Sequence, residues 1–289
     1  MPELPEVEVV KRSLVNKVQG LIIKEVKILD GRLRYRIDKN AARKIIRLKI
    51  EKIKRRAKFL LFFLSKNITM LVHLGMTGKF FFVDKKNTKY KTSFYYNINE
   101  EKDQRHNRVV FVFNNNHKLI YNDVRKFGFI KFFENQDLNF NLHLNKLGPE
   151  PLEKKFNYIY FKSYIIGRNR TIKDILMDQK FVSGIGNIYA NEILFLSKVK
   201  PTRKVKKLKI FELKKLVNFI KIVLNSSIKL GGSSIKDFSS SNGKKGSFQQ
   251  HFNVYGKKGE LCCNKNCESK IVRSIISNRA TFFCPKCQK

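Results

Sequence analysis

Leu147-Gly148-Pro149-Glu150-Pro151-Leu152 divides this chain of 289 residues into two parts of different texture. One glycine and two prolines in a row of six fit neither a helix interior nor a strand interior, so the segment reads as a linker. On its N-terminal side, residues 21–29, 59–64, 68–74, 80–83, 109–113, 118–121 and 127–133 are short β-branched or aromatic runs. Clusters such as Asn114-Asn115-Asn116 punctuate them, which is the pattern of an antiparallel sandwich or barrel rather than of alternating βαβ units. Residues 85–107 are polar, carry no period and read as a long exposed loop. On the C-terminal side, Leu213, Leu216, Val217, Ile220, Val223, Leu224 and Ile228 form an amphipathic stripe that stops at Gly231-Gly232. Residues 233–246, rich in Ser, Lys and Gly, read as mobile. A first helix is expected over residues 3–19, from Leu4, Val7, Val10, Leu14 and Val18, with Gly20 as its stop. The fold class is therefore α+β, with strands first and helices after.

Charge is the next signal. The chain has 61 Lys+Arg against 23 Asp+Glu, a formal net charge of +38. An excess of this sign calls for a polyanionic partner, with nucleic acid ahead of an anionic membrane surface. Lys, Asn, Ile and Phe are abundant and Trp is absent, as in chains shaped by A+T-rich coding, so the sign carries more information than the size. A hydrophobic fraction of 42% with 25 Phe is enough to fill buried cores. No apolar run approaches the roughly 20 residues of a membrane span. Acidic residues stand where a secretory signal would be basic, so an intracellular, cytoplasmic protein is expected.

All five cysteines lie in the last 28 residues. Cys267 and Cys284 are separated by 16 residues, and Cys284 and Cys287 by two, while Cys262 and Cys263 stand upstream. Two short cysteine pairs at this separation in an intracellular chain read as one structural, four-thiolate zinc site with no open coordination position. Five thiols leave one spare. Alignment from Gly259-Glu260 favours Cys262 as the ligand, and tighter knuckle geometry favours Cys263.

At the other end the chain begins Met-Pro-Glu-Leu-Pro-Glu. Proline at position 2 permits removal of Met1, which would leave Pro2 as a terminal secondary amine. An α-amino group has a pKa near roughly 8, against about 10 for lysine, so it is partly neutral near pH 7 and able to form Schiff bases. Glu3 and Glu6 follow closely. By itself this segment is also an ordinary helix start, since proline and acidic residues favour a first turn.

Other segments are ambiguous alone. The turn Ser183-Gly184-Ile185-Gly186-Asn187 lies between helical stretches and offers amides to a phosphate, yet lacks the strand context of a dinucleotide site. Met76, within His73-Leu74-Gly75-Met76-Thr77-Gly78, and Phe127, within Asp123-Val124-Arg125-Lys126-Phe127-Gly128, are core candidates. They are equally candidates for wedges that fill the gap left by an extruded base. The basic run from Lys54 to Lys58 is either a solvated face or a phosphate-facing edge.

Taken in order, these segments resemble the bacterial formamidopyrimidine-DNA glycosylase family (8-oxoguanine DNA glycosylase/AP lyase). The matching stretches are MPELPEVE at the start, RRAKFLL at 55–61, HLGMTG at 73–78, LGPEPL at 147–152 and LMDQKFVSGIGNIYANE at 176–192. GGSSIKDF at 231–238, VYGKKGELC at 254–262 and RATFFCPKCQK at 279–289 complete them, so the resemblance spans the chain. It implies an N-terminal helix-flanked antiparallel β-sandwich with a C-terminal helix–two-turns–helix domain and a zinc ribbon. The implied boundaries are 2–134, a linker at 135–151, 152–250, and 251–289.

The resemblance also implies a base-excision enzyme for oxidised purines in double-stranded DNA, acting as a monomer in the cytoplasm at the bacterial nucleoid. Pro2 would be the Schiff-base nucleophile and Glu3 the general acid, with Glu6 holding the N-terminus. Lys58 would serve β-elimination and Arg279 δ-elimination. His106, Arg125, Arg168 and Asn187 would contact DNA, and Met76, Arg125 and Phe127 would fill the void and probe the opposite base. Residues 239–248 would form the loop over the everted base.

The sequence departs from the family pattern in three places. The first cysteine knuckle exceeds the usual two-residue spacing. Val124 and Lys126 replace the usual proline and second arginine beside Arg125. The histidine segment reads Arg105-His106-Asn107-Arg108 rather than His-Asp-His. Two alternatives compete: an endonuclease VIII-like enzyme for oxidised pyrimidines, and a non-catalytic zinc DNA-binding protein. Leu4 and the Met76, Arg125 and Phe127 set favour the purine enzyme over the first. Intact Pro2, Glu3, Lys58 and Arg279 argue against the second.

Overall fold

A computed structural model describes residues 1–92, 104–233 and 248–289. The chain divides into two compact units, Met1–Asn145 with residues 230–233, and Lys146–Lys229 with Phe248–Lys289. The expected base-covering loop at 239–248 and the middle of the expected loop at 85–107 lie outside the described residues, apart from Phe248 and the loop's two ends.

In the first unit, helix α1 (Leu4–Val18) starts with a capping box between Glu3 and Glu6 and has Pro5 in its first turn. Its apolar stripe Val7, Val10, Leu14 and Val18 is fully buried. After β1 (Ile23–Ile28) and the short α2 (Lys39–Lys44), the chain forms β2 (Ile50–Arg56), β3 (Phe59–Leu64), β4 (Ile68–His73), β5 (Lys79–Val83) and β6 (Lys89–Lys91). It then adds β7 (Asn107–Phe113), β8 (Lys118–Asn122) and β9 (Phe129–Glu134). The strands make two antiparallel sheets, ordered β2-β3-β4-β9 and β1-β7-β8-β5-β6.

One core joins the sheets. Leu60, Phe62, Met70 and Val72 from the first meet Phe80, Phe111, Phe113 and Tyr121 from the second, and the rings of Phe62 and Phe80 lie 6.0 Å apart, edge to face. The stripe of α1 belongs to the same core. Arg55 of β2 reaches α1 and pairs with Glu8 at 3.0 Å, both side chains being largely buried. Glu8 also accepts from Lys11 and Arg12 at 3.0 Å, so its carboxylate is well satisfied at the helix–sheet junction.

In the second unit, α3 (Tyr158–Ile165), α4 (Ile172–Met177), α5 (Asn187–Leu196) and α6 (Ile210–Lys229) are followed by the hairpin β10 (Val272–Ile276) and β11 (Arg279–Phe283). The α4–α5 turn is closed by Gln179, whose side chain accepts from Gly184 N–H and donates to Ile185 O, both at 2.8 Å. Gly184 takes a φ of 92°, a conformation open to glycine. The hairpin is docked on the helices. Asn191 Oδ1 accepts from Phe282 N–H at 2.7 Å, and buried Lys173 donates to Thr281 Oγ1 at 2.6 Å. The Glu192 carboxylate accepts three backbone N–H groups, from Asn253, Val254 and Tyr255, plus the Asn253 amide, at 2.8 to 3.0 Å.

Candidate active site

The start of the chain is enclosed. Pro2 is buried, as are Glu3, Glu6 and Lys58, while Met1 is exposed. Glu6 Oε2 accepts from Glu3 N–H at 2.8 Å. Its Oε1 accepts from the N–H and hydroxyl of Ser233 at 2.7 and 2.9 Å, so the N-terminus is tied to the segment that follows α6. Gly232, at φ 83°, lies so close that a Cβ there would come within 3.1 Å of Glu6 Oε1. Lys58 is presented by the tight turn between β2 and β3, in which Ala57 adopts a φ of 53°. Burial lowers the pKa of the Met1 amine, the terminus of the unprocessed chain, below the ordinary α-amino value. Glu3 and Glu6 oppose this, and Lys58 and Arg125 add to it. Glu3, Glu6, Lys58 and Arg125 thus all act electrostatically on the chain terminus, one residue before Pro2.

A second cluster crowns the same unit. Met76 stands on the β4–β5 loop and Phe127 on the β8–β9 loop, both exposed and not in the core. The Arg125 guanidinium lies 4.6 Å from the Phe127 ring centre. His106 is half-buried, with Nδ1 3.4 Å from Arg108 Nη2, and its carbonyl accepts from Asp123 N–H at 3.0 Å.

His73 was assigned no role by sequence reasoning, which treated it only as part of a motif. Its ring stacks on Phe129 with an interplanar angle of 16°, and its Nδ1 accepts from Gly75 N–H at 3.0 Å. Burial, reinforced by the positive charges of Lys58 and Arg34 and by His143, lowers its pKa to about 4. It is neutral at physiological pH, and with Nδ1 accepting, its ring proton is on Nε2.

Arg168, Asn187 and Arg279 belong to the second unit. Arg168 follows α3 and stacks on Tyr164 at 4.3 Å. Asn187 is the first residue of α5 and donates to Ala280 O at 2.9 Å, which links the helix start to the strand carrying Arg279. Arg279 is exposed at the beginning of β11, after the turn residues Ser277 and Asn278 at φ 50° and 57°. It lines a recess of about 460 Å³ with Arg170, Asp174, Gln179 and Lys180.

The cysteine question has a geometric answer. The sulfurs of Cys262, Cys267, Cys284 and Cys287 all lie within 4.8 Å of one another. Cys262 and Cys287 are 3.8 Å apart, and Cys267 and Cys284 3.7 Å. A tetrahedral ion with bonds of about 2.3 Å to sulfur needs edges of about 3.8 Å, so this donor set fits one. Cys263 is the spare thiol: it is exposed and donates to Asn253 Oδ1 at 3.3 Å.

The chain is similar to known proteins along its whole length. Residues 1–130 match the family model for the formamidopyrimidine-DNA glycosylase N-terminal domain, and residues 147–239 that for its H2TH domain. The formamidopyrimidine-DNA glycosylase of Rickettsia bellii (strain OSU 85-389) is 39% identical over 289 residues, covering the whole of both chains. That of Roseobacter denitrificans is 36% identical with the same coverage. Among solved structures, the Lactococcus lactis Fpg in complex with DNA containing an abasic site superposes with a TM-score of 0.85 at 31% identity, covering 99% of each chain. The wild-type L. lactis enzyme with DNA containing N7-benzyl-Fapy-dG gives 0.84 at 31%, covering 100% of each. Matched by both family models and across its full length by these relatives, the chain belongs to the formamidopyrimidine-DNA glycosylase family of base-excision-repair glycosylases with AP lyase activity.

Proposed function

We propose that this chain removes oxidised purines, 8-oxoguanine and formamidopyrimidines, from double-stranded DNA and then cuts the strand through a Schiff base on Pro2. The observation that carries the reading is the burial of Pro2 together with Glu3, Glu6 and Lys58, whose charges all act on the chain's N-terminus, where the Pro2 nitrogen becomes the terminal amine once Met1 is removed. A neutral amine is the nucleophilic form. With Met1 removed, the Pro2 nitrogen attacks C1′ of the damaged nucleoside and the glycosidic bond breaks. The base leaves with a proton. The amine proton is lost as the C1′–O4′ bond opens to the iminium, and Glu3 protonates O4′. Loss of a C2′ proton expels the 3′ phosphate, with Lys58 at that step. A second elimination, served by Arg279, expels the 5′ phosphate, and hydrolysis of the imine frees the enzyme.

A base in a duplex is reached only by extrusion, which leaves a gap to be filled. Met76, Arg125 and Phe127, exposed on two loops of one unit, are suited to that task. His106, Arg168 and Asn187 are assigned to the DNA backbone, where the excess of positive charge makes binding salt-dependent. The ion for the four-cysteine cluster is zinc, held by Cys262, Cys267, Cys284 and Cys287. When bound it supplies cross-linking of the ribbon and no chemistry. The ribbon at 251–289, the helical domain at 152–250, the linker at 135–151 and the catalytic sandwich at 2–134 are the proposed working parts of a cytoplasmic, nucleoid-associated monomer. Among the described residues no helix is long and apolar enough to cross a membrane.

Borohydride trapping on a duplex with 8-oxoguanine opposite cytosine tests the reading. Protein lacking Met1 is expected to give a covalent adduct mapping to Pro2, and protein retaining Met1 none. Absence of an adduct from the processed protein overturns it. Preferential trapping on an oxidised-pyrimidine duplex shifts the assignment to the endonuclease VIII-like alternative.

A further inference from the structure

The two loops that carry Met76 and Phe127 are separate in sequence, yet one buried carboxylate joins them. Thr77 Oγ1 donates to Asp123 Oδ1 at 2.5 Å and accepts from Arg125 N–H at 3.0 Å. Asp123 Oδ2 accepts from Gly128 N–H at 2.8 Å. The Asp123 backbone is engaged too: its N–H donates to His106 O at 3.0 Å, and its carbonyl accepts from Arg108 Nε at 2.8 Å. Asp123 is fully buried, whereas its chain neighbours Val124 and Arg125 are exposed. The loops also touch backbone to backbone. A Cβ on Gly75 would lie 2.4 Å from Gly128 N and from the Phe127 carbonyl carbon, so no other residue fits there without moving the second loop.

A carboxylate that only capped its own turn would need no more than the Gly128 N–H. Here the other oxygen crosses to Thr77, and the hydroxyl passes the connection on to the amide of Arg125. That relay is directional. Because Thr77 donates its one proton to Asp123, its lone pairs are free to accept from Arg125. The Phe127 end is fastened independently. Lys126 adopts a φ of 58°, an unusual conformation for a side chain with a Cβ, and its Nζ lies 2.7 Å from Asp30 Oδ2, which also binds Arg108 at 3.1 Å. Lys126 therefore serves as an anchor, and Arg125 and Phe127, on either side of it, are left exposed.

We infer that Asp123 and Thr77 are positioning residues that make Met76 and the Arg125–Phe127 pair a single rigid probe of the base pair at the lesion. This rests on the reading of Met76 and Phe127 as wedges. If the two were independent, each would have to find its place in the stack separately, and the entropy of ordering would be incurred twice.

The test uses full-length, zinc-loaded protein lacking Met1, in single-turnover excision of 8-oxoguanine opposite cytosine. Met76→Ala, Phe127→Ala and their combination are compared in the native background and in Thr77→Val, which keeps the shape of threonine but removes the relay. In the native background the combined loss is expected to be about tenfold smaller than the product of the single losses. In the Thr77→Val background the losses multiply. Thr77→Ser restores the coupling, and Asp123→Asn weakens it. Borohydride trapping on a pre-formed abasic site, which reports the amine itself, stays within about twofold for Thr77→Val.

Unchanged coupling in Thr77→Val overturns the inference while leaving the wedges intact. So does an equal loss of abasic-site trapping, which would mean a general structural role. If neither Met76→Ala nor Phe127→Ala slows excision, the wedge reading itself falls and takes the inference with it.

Discussion

Glu6 binds Ser233 across 227 positions of sequence, accepting both its N–H and its hydroxyl on one carboxylate oxygen while the other oxygen holds the N–H of Glu3. A glutamine at position 6 has only one accepting oxygen, so it must present an amide N–H to one of these donors. Removing one acceptor from a buried donor costs about 1–3 kcal/mol. Glu6→Gln is therefore expected to lower stability by that amount and to slow borohydride trapping, because the backbone next to Pro2 loses its fixed position. Urea denaturation and single-turnover trapping check the two halves. Native stability in the variant would mean the Glu6 contacts contribute little.

The assignment of the metal ligands predicts an asymmetric result for adjacent cysteines. Cys262→Ser is expected to lose bound metal, since an alcohol is a poor replacement for thiolate, and to loosen the ribbon. Cys263→Ser is expected to retain one equivalent, because its sulfur lies outside the cluster and donates instead to Asn253 Oδ1. Native mass spectrometry of both variants decides it; retention by Cys262→Ser and loss by Cys263→Ser would reverse the assignment. Chelation is expected to leave the sandwich folded and to disorder the cysteine segment, since the latter rests on a metal-dependent donor set.

Much of this architecture was legible from period alone. Apolar runs gave most of the strands to within two residues, and the stripe from Leu213 to Ile228 gave helix α6. Strand β2 was missed because its pattern is irregular. A bulge between Ile50 and Lys52 places the buried Ile50 and Ile53 three positions apart, and charges fill the rest. The edge strand Lys89–Lys91 is too short to show any alternation. The burial of Lys58 was equally hidden, because a basic run looks solvated unless one knows that its last member closes a hairpin. No local rule links Glu6 to Ser233 either. The choice between Cys262 and Cys263 depends on which neighbour faces Asn253, which spacing does not encode.

Glu192 was not singled out by sequence, yet its side chain accepts four hydrogen bonds in the second unit. It is buried, and its carboxylate satisfies the N–H groups of three consecutive residues leading into the cysteine segment. Glu192→Ala leaves these donors without an acceptor, at about 1–3 kcal/mol each. A loss of at least about 3 kcal/mol is expected. Glu192→Gln is expected to lie between this variant and the native protein. Hydrogen exchange at Asn253, Val254 and Tyr255 offers a local check: protection that survives in Glu192→Ala would show that the turn is held by something else.

His73 gives the protein a defined pH response. Its pKa is about 4 in the fold, because burial and the charge of Lys58 disfavour the imidazolium, against 6.5 for a free histidine. Between those values the unfolded chain binds the extra proton and the native protein does not. Stability therefore rises with pH across this window, is fully present above about pH 6.5 and is lost as pH falls towards about 4. At ~1.4 kcal/mol per pH unit the full effect of this one group is about 3 kcal/mol. His73→Gln keeps a polar side chain in place of the titrating one, so its stability should be flatter between pH 4 and 6.5 than that of the native protein. Urea midpoints measured across that range, with the His73 Cε1 proton followed by NMR, test the assignment. An imidazole that titrates near 6.5 in the folded protein would remove both the shift and the stability difference it implies.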